Sequence, residues 1–203
     1  MTIQYHGDAC IRLTGKTPAG EFTVLTDPYD AKATGLKTIR PSAADLVLST
    51  TGALPEFEEG PFRVVSPGEY EVRGVMVKGI SVGTTTIYRI DVEGLSIAHL
   101  GNLAAPLSTE VQEKLGDVDV LLIPVGGHGA LTAKQAGELI EQIEPRIVIP
   151  LQYKLADAKL PYDGPEAFCK EVGCSPKPED DKLRIAKKDV PAEEMWVRVL
   201  GVS

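Results

Sequence analysis

Two strongly apolar runs, VDVLLIP at 118–124, apolar throughout 120–124, and RIVIPLQY at 146–153, apolar throughout 147–151, constrain this chain more than any other feature. A strand that is apolar at every position has no solvent face, so it belongs in a sheet covered on both sides. Between the runs lies TAKQAGELIEQIEP. Thr132 and Gln135 stand at capping-box spacing, Ala136, Leu139, Ile140 and Ile143 share one face of a helix, and Pro145 ends it. The segment therefore reads as a β-α-β unit, and the fold class as α/β.

The half before it is rich in strands. QYHGDACIRLTG, EFTVLTDPY, ADLVLST, FRVVS, EYEVRGVMVKGISV, TTIYRIDV and LSIAHLG are short runs of β-formers between Gly, Pro or charged turns. Arg73-Gly74 and Glu93-Gly94 read as hairpin turns. A helix over STEVQEKLG has a cap at Ser108 and a stop at Gly116 in the left-handed conformation. The stretch from Asp157 to Asp181 is loop-like around a short helix, PEAFCKEVG. KLRIAKK, a basic strand with a solvated face, and EMWVRVLG are expected to close the chain.

No linker or repeat divides the 203 residues, so one domain over 1–203 is expected. With 21 Lys and Arg against 29 Asp and Glu the net charge is -8, which offers nothing to nucleic acid. No run reaches the ~18 apolar residues of a membrane span, and the opening MTIQYHGDAC has neither a basic start nor an apolar signal region. A cytoplasmic location is expected, with no membrane partner. Cys10, Cys169 and Cys174 form no C-x-x-C pair and leave one over, a pattern read as buried thiols in a reducing compartment.

Ligand-handling residues of such sheets sit just past strand ends. Those loops are 5–8, 26–29, 49–52, 98–102, 124–129 and 150–153, and together they read as the rim of one pocket. In order, YHGDACIRL, VLTDPYD, ADLVLST, SPGEYEVRGVMVKGI, TIYRIDVEGLSIAHLGN and LGDVDVLLIPVGGHGALTAKQAGELIEQIEPRIVIPLQYK resemble the metallo-β-lactamase superfamily, in its branch of Zn-dependent hydrolase-like proteins. The resemblance runs from about the N-terminus to Lys154 and takes in the final strands, so it covers most of the chain. It implies a four-layer αββα sandwich with a metal site along one edge.

The same resemblance implies where metal ligands belong, and this chain departs from the pattern at each. The motif Thr-His-x-His-x-Asp-His falls on Thr50 to Glu56, so Thr51, Ala53, Pro55 and Glu56 occupy ligand positions; the bridging aspartate falls on Asn102 and the late histidine on Gln152. Catalytic zinc takes about three nitrogen, carboxylate or thiolate ligands. Zinc is therefore not expected as a cofactor, and no metal is assigned. Asn102, Gln152 and Glu56 are a donor set better matched to a hard cation.

Of the remaining polar residues, His99 takes the resemblance's position beside the lost aspartate, as a hydrogen-bonded structural residue. His128, in the glycine-rich GGHGALT, reads as an exposed loop histidine and is the best surviving candidate for ligand contact. GGHGALT lacks the full phosphate-loop fingerprint. Asp27 reads as paired with a backbone amide or a tyrosine, with Asp8 and Glu56 as carboxylates that could cluster with it. His6 has no assigned role. The expected ligand pocket is thus Thr51, Ala53, Glu56, His99, Asn102, His128 and Gln152. The favoured function is a degenerate member of the superfamily that binds, regulates or assembles, its partner an unidentified small molecule, a protein or a second copy of itself. The alternative is a hydrolase with an atypical metal set, or with metal-independent chemistry through His128, Asp27 and Glu56.

Overall fold

The computed structural model describes residues 1–57, 60–178 and 180–203. Its strands are β1 (Thr2–Gly7), β2 (Cys10–Thr17), β3 (Gly20–Thr26), β4 (Leu46–Leu48), β5 (Phe62–Val64), β6 (Gly68–Val72), β7 (Val75–Val82), β8 (Thr85–Val92), β9 (Leu95–His99), β10 (Val120–Pro124), β11 (Ile147–Leu151), β12 (Lys182–Arg184) and β13 (Trp196–Val197). The helices are α1 (Ala31–Thr34), α2 (Thr109–Leu115), α3 (Ala133–Ile143) and α4 (Glu166–Val172).

The strands form two mixed sheets. A six-stranded sheet runs β12-β1-β2-β3-β4-β5 and a seven-stranded sheet runs β13-β11-β10-β9-β8-β7-β6. In the first, β3, β4 and β5 are parallel and the rest antiparallel; in the second, β9, β10, β11 and β13 are parallel and β6 to β9 form a meander. One core joins them, with Ile3, Leu13 and Val24 of the first sheet packed among Ile90, Ile97 and Leu122 of the second. The architecture is the α/β sandwich expected from the resemblance.

Local chemistry explains the elements. Every residue of β10 and β11 is buried, as their apolar runs require. α3 has the full capping box: Thr132 Oγ1 accepts from the Gln135 amide and Gln135 Oε1 accepts from the Thr132 amide. It ends with Glu144 in the left-handed region, one residue before Pro145. Both hairpin turns have positive φ at both central residues, 53° and 77° at Arg73-Gly74 and 52° and 74° at Glu93-Gly94. That backbone twist matches the strands on either side.

The structure corrects four readings. QYHGDACIRLTG is not one strand but a hairpin, broken where Asp8 takes a φ of 52°. Cys169 and Cys174 are joined as a disulfide at the end of α4, where the helix turns back on itself, and Cys10 alone is a buried thiol. KLRIAKK is a strand only over Lys182–Arg184. Its Lys187 is not merely solvated, because Nζ binds both oxygens of the largely buried Asp119 at 2.8 and 2.7 Å. Gly116 closes α2 with a φ of 65° but an extended ψ, not a left-handed helical one. Glu179, inside the stretch read as loop-like, lies outside the described residues. Among the described residues no helix is long and apolar enough to cross a membrane.

Removal of the Thr132 hydroxyl by Thr132→Ala should cost about 1 kcal/mol of stability, the usual value of a side-chain N-cap, as a lower urea midpoint at unchanged slope.

Candidate functional site

The site is built outward from Asp27. At the end of β3 the chain leaves the sheet through Asp27, which has a φ of 39° and gives its amide to the Leu48 carbonyl at 2.8 Å. Its carboxylate is committed on both oxygens. Oδ1 accepts from the Thr50 amide at 2.7 Å and the Thr50 hydroxyl at 2.9 Å, and Oδ2 lies 2.7 Å from His99 Nε2. Thr50 and His99 are fully buried. One carboxylate thereby ties the ends of β3 and β4 to the end of β9, in the other sheet.

From Thr50 the hydrogen bonds continue. Thr50 Oγ1 accepts from the Asn102 amide at 3.2 Å and from Asn102 Nδ2 at 3.0 Å. Asn102 Oδ1 accepts from Gln152 Nε2 at 2.8 Å, and the same nitrogen lies 3.0 Å from both Asp8 Oδ1 and the Tyr162 hydroxyl. Tyr162 in turn donates to Asp8 Oδ1 at 3.0 Å. Asp8, in the β1-β2 turn, also accepts the Gln152 backbone amide on its carbonyl. Glycines permit the close approach: a Cβ on Gly101 would strike the Thr50 side chain, and one on Gly126 would strike the Gln152 carbonyl and Tyr162. Two buried atoms in the chain of contacts have no partner, His99 Nδ1 and Gln152 Oε1.

The expected pocket residues separate into two groups. His99, Asn102 and Gln152 belong to this network. Thr51, Ala53 and Glu56 do not; they are exposed on the loop after β4, held there by the Ser49 hydroxyl, which donates to the Ala53 carbonyl at 2.6 Å. His128 is also outside, its side chain 56% exposed and its Nε2 3.5 Å from Asp163 Oδ1. Asp27 pairs with the Thr50 amide and His99, not with a tyrosine. Glu56 joins neither Asp8 nor Asp27, so the hard-cation set with Asn102 and Gln152 is not assembled, and the trio His128, Asp27 and Glu56 does not meet. His6 accepts a hydrogen bond from Arg12 Nε at 3.3 Å, away from the network. Two members were missed. Thr50 opens the segment matched to the histidine-rich motif, so its signal was present; Tyr162 lies in an aperiodic stretch that offered none.

This donor set does not suit zinc. The histidine nitrogen that the network engages is spent on Asp27, Asn102 and Gln152 are neutral amides, and the amide nitrogen rather than the oxygen of Gln152 faces Asp8. Among the described residues no three His, Cys, Asp or Glu side chains gather as a metal-binding group. Burial, then the charge of Asp8, push the Tyr162 phenol up, so Tyr162 remains a donor at neutral pH.

Residues 2–152 match the family model described as the beta-lactamase superfamily domain. A UPF0173 protein of Pyrococcus furiosus is 30% identical over 146 residues, covering 71% of this chain and 66% of its own length. A UPF0173 metal-dependent hydrolase of Thermococcus onnurineus is 34% identical over 94 residues, covering 46% of this chain and 41% of its own. The matches thus span less than two thirds of either relative. A Thermotoga maritima protein named as a Zn-dependent hydrolase of the metallo-β-lactamase superfamily has a crystal structure that superposes with a TM-score of 0.82 at 28% identity, covering 99% of this chain and 100% of that one.

Asp8 gives the network a pH dependence. Burial raises its carboxyl above the ordinary 3.8, against the opposing hydrogen bonds from Gln152 and Tyr162. The folded chain therefore holds this proton more tightly than the unfolded chain. Its stabilising contribution is complete below 3.8 and is lost as pH rises through the raised folded value. Asp8→Asn should flatten that part of the stability profile in urea midpoints measured across acidic pH; a decline identical to that of the unsubstituted protein would refute the assignment.

Proposed function

The chain belongs to the metallo-β-lactamase superfamily, on a family match over residues 2–152, and from that premise we propose that it is a member which no longer works as a zinc hydrolase and instead binds, regulates or assembles. The observation that carries this reading is the hydrogen-bonded run from His99 through Asp27, Thr50, Asn102 and Gln152 to Asp8 and Tyr162. Hydrolysis on this fold needs a nucleophile, and bound zinc supplies one by lowering the pKa of water from 15.7 to about 7. Apart from His99 Nδ1 and Gln152 Oε1, these side chains spend their polar atoms on one another. The positions matched to the histidine-rich motif face solvent as Thr51, Ala53 and Glu56. What persists is a shaped sheet edge with a polar interior, which supports a role in contact with a small molecule, a protein or another copy of the chain.

A second reading is favoured by a specific observation, the names of relatives. The Thermococcus onnurineus protein is named a metal-dependent hydrolase and the Thermotoga maritima protein a Zn-dependent one. On that reading this chain is a hydrolase with an atypical metal set.

Metal analysis of protein purified without chelator separates the two, alongside a screen of phosphodiester and lactone substrates. The proposal expects zinc far below one ion per chain and no turnover above the buffer rate. Stoichiometric metal that is lost on Gln152→Ala or Glu56→Ala, together with turnover, would instead establish the hydrolase.

A further inference from the structure

At the shared end of β9 and β11 three oxygens converge on one nitrogen. Gln152 Nε2 lies 2.8 Å from Asn102 Oδ1, 3.0 Å from Asp8 Oδ1 and 3.0 Å from the Tyr162 hydroxyl. The nitrogen carries two hydrogens and no lone pair available to accept, so it is the positive end of its amide and is surrounded by acceptors. Gln152 Oε1, the negative end, is buried without a partner. The surroundings thus hold this amide by its nitrogen alone. Turned over, it would set Oε1 against three oxygens with only the Tyr162 hydrogen among them.

Charge points the same way. Asp8 carries the only formal charge among the three oxygen donors, and among the described residues no Lys, Arg or His stands in an ion pair with it. A half-buried carboxylate without a cation is costly, and the polar hydrogens of Gln152 are what the chain sets against it. The spacing defines the class of cation. Zinc–oxygen distances are about 2.0–2.2 Å and calcium–oxygen distances about 2.3–2.6 Å. The ring is wider, at the separation of N–H···O hydrogen bonds, about 2.7–3.2 Å.

We propose that Asp8, Asn102 and Tyr162 form a three-oxygen cation site whose occupant is the chain's own Gln152 amide, and that the site, relieved of this side chain, takes an ammonium-type monovalent cation. Gln152 is then a tethered substitute for an ion. It keeps β9, β11, the β1-β2 turn and the 153–165 loop joined without metal. The inference rests on the zinc-free reading above and explains how the fold dispenses with the ion.

Thermal unfolding of Gln152→Ala in ammonium, sodium and choline chlorides of equal ionic strength provides the test. The variant should melt below the unsubstituted protein in sodium and choline and recover by about 2–4 °C in ammonium, the shift one restored buried contact gives in a chain of this size. The unsubstituted protein should show no such preference. Gln152→Met, which fills the space without an N–H, should be destabilised and unresponsive to ammonium. An alanine variant with equal midpoints in all three salts, or an ammonium response shared by the unsubstituted protein, would overturn the proposal. If the alanine variant does not fold, the unsubstituted protein still decides: by NMR the Gln152 side-chain amide protons should exchange much more slowly than those of the exposed glutamines, with and without EDTA, and exchange at the rate of a free amide would overturn it. Stoichiometric zinc in the purified protein defeats the zinc-free reading; failed rescue in zinc-free protein defeats the substitute-ion proposal alone.

Discussion

The carboxylate of Asp27 is the contact on which the edge of this sandwich depends. It accepts from Thr50 twice and faces His99, joining the two sheets where β3, β4 and β9 end. A buried carboxylate of this kind is tolerated because its oxygens are satisfied; removing the His99 ring would leave Oδ2 unpaired in a low-dielectric interior. Nearby bonds reinforce the same seam. The Thr86 amide donates to the Thr50 carbonyl and the Tyr88 hydroxyl to the Ser49 carbonyl, so the seven-stranded sheet is bonded to the end of β4 several times over.

Backbone conformation around this seam is unusual for its residue types. Asp8, Asp27 and Gln152 have φ values of 52°, 39° and 51°, in the left-handed region that side chains disfavour by roughly 1–2 kcal/mol each. Such strain persists where the surroundings fix the residue from several sides. Here each of the three makes both backbone and side-chain hydrogen bonds to another element. Strain of this sort is common at functional centres.

The exposed residues around the network have a different character. His128 and Asp163 face solvent, and the loop after β4 carries Thr51, Ala53 and Glu56 outward. A hydrolytic centre needs its nucleophile, base and polarising group within hydrogen-bond reach of a common point. Among the described residues, the network's polar atoms are largely spent on one another, His99 Nδ1 and Gln152 Oε1 apart, whereas Thr51, Ala53 and Glu56 stand exposed outside it. Binding at such a surface would use the rim, with the buried network fixing its shape.

Much of the fold was legible before any coordinates, because burial and turn geometry leave periodic marks. The wholly apolar β10 and β11, the capping box at Thr132 and Gln135, and the turns at Arg73-Gly74 and Glu93-Gly94 each encode a local preference that the tertiary structure had no reason to override. That Ala53 offers no donor atom could also be read directly, since its side chain has none in any fold. What the chain order could not convey was which remaining polar atoms meet. Asp8 and Gln152 are 144 residues apart and Asp8 and Tyr162 are 154 apart. Glu56 resembled a member of the site and is exposed, whereas Tyr162 carried no pattern and lies within it. Side-chain hydrogen bonds between distant loops depend on how the two sheets stack and where each strand ends, and that stacking is set by the summed burial of the core, to which no single loop residue gives a clue.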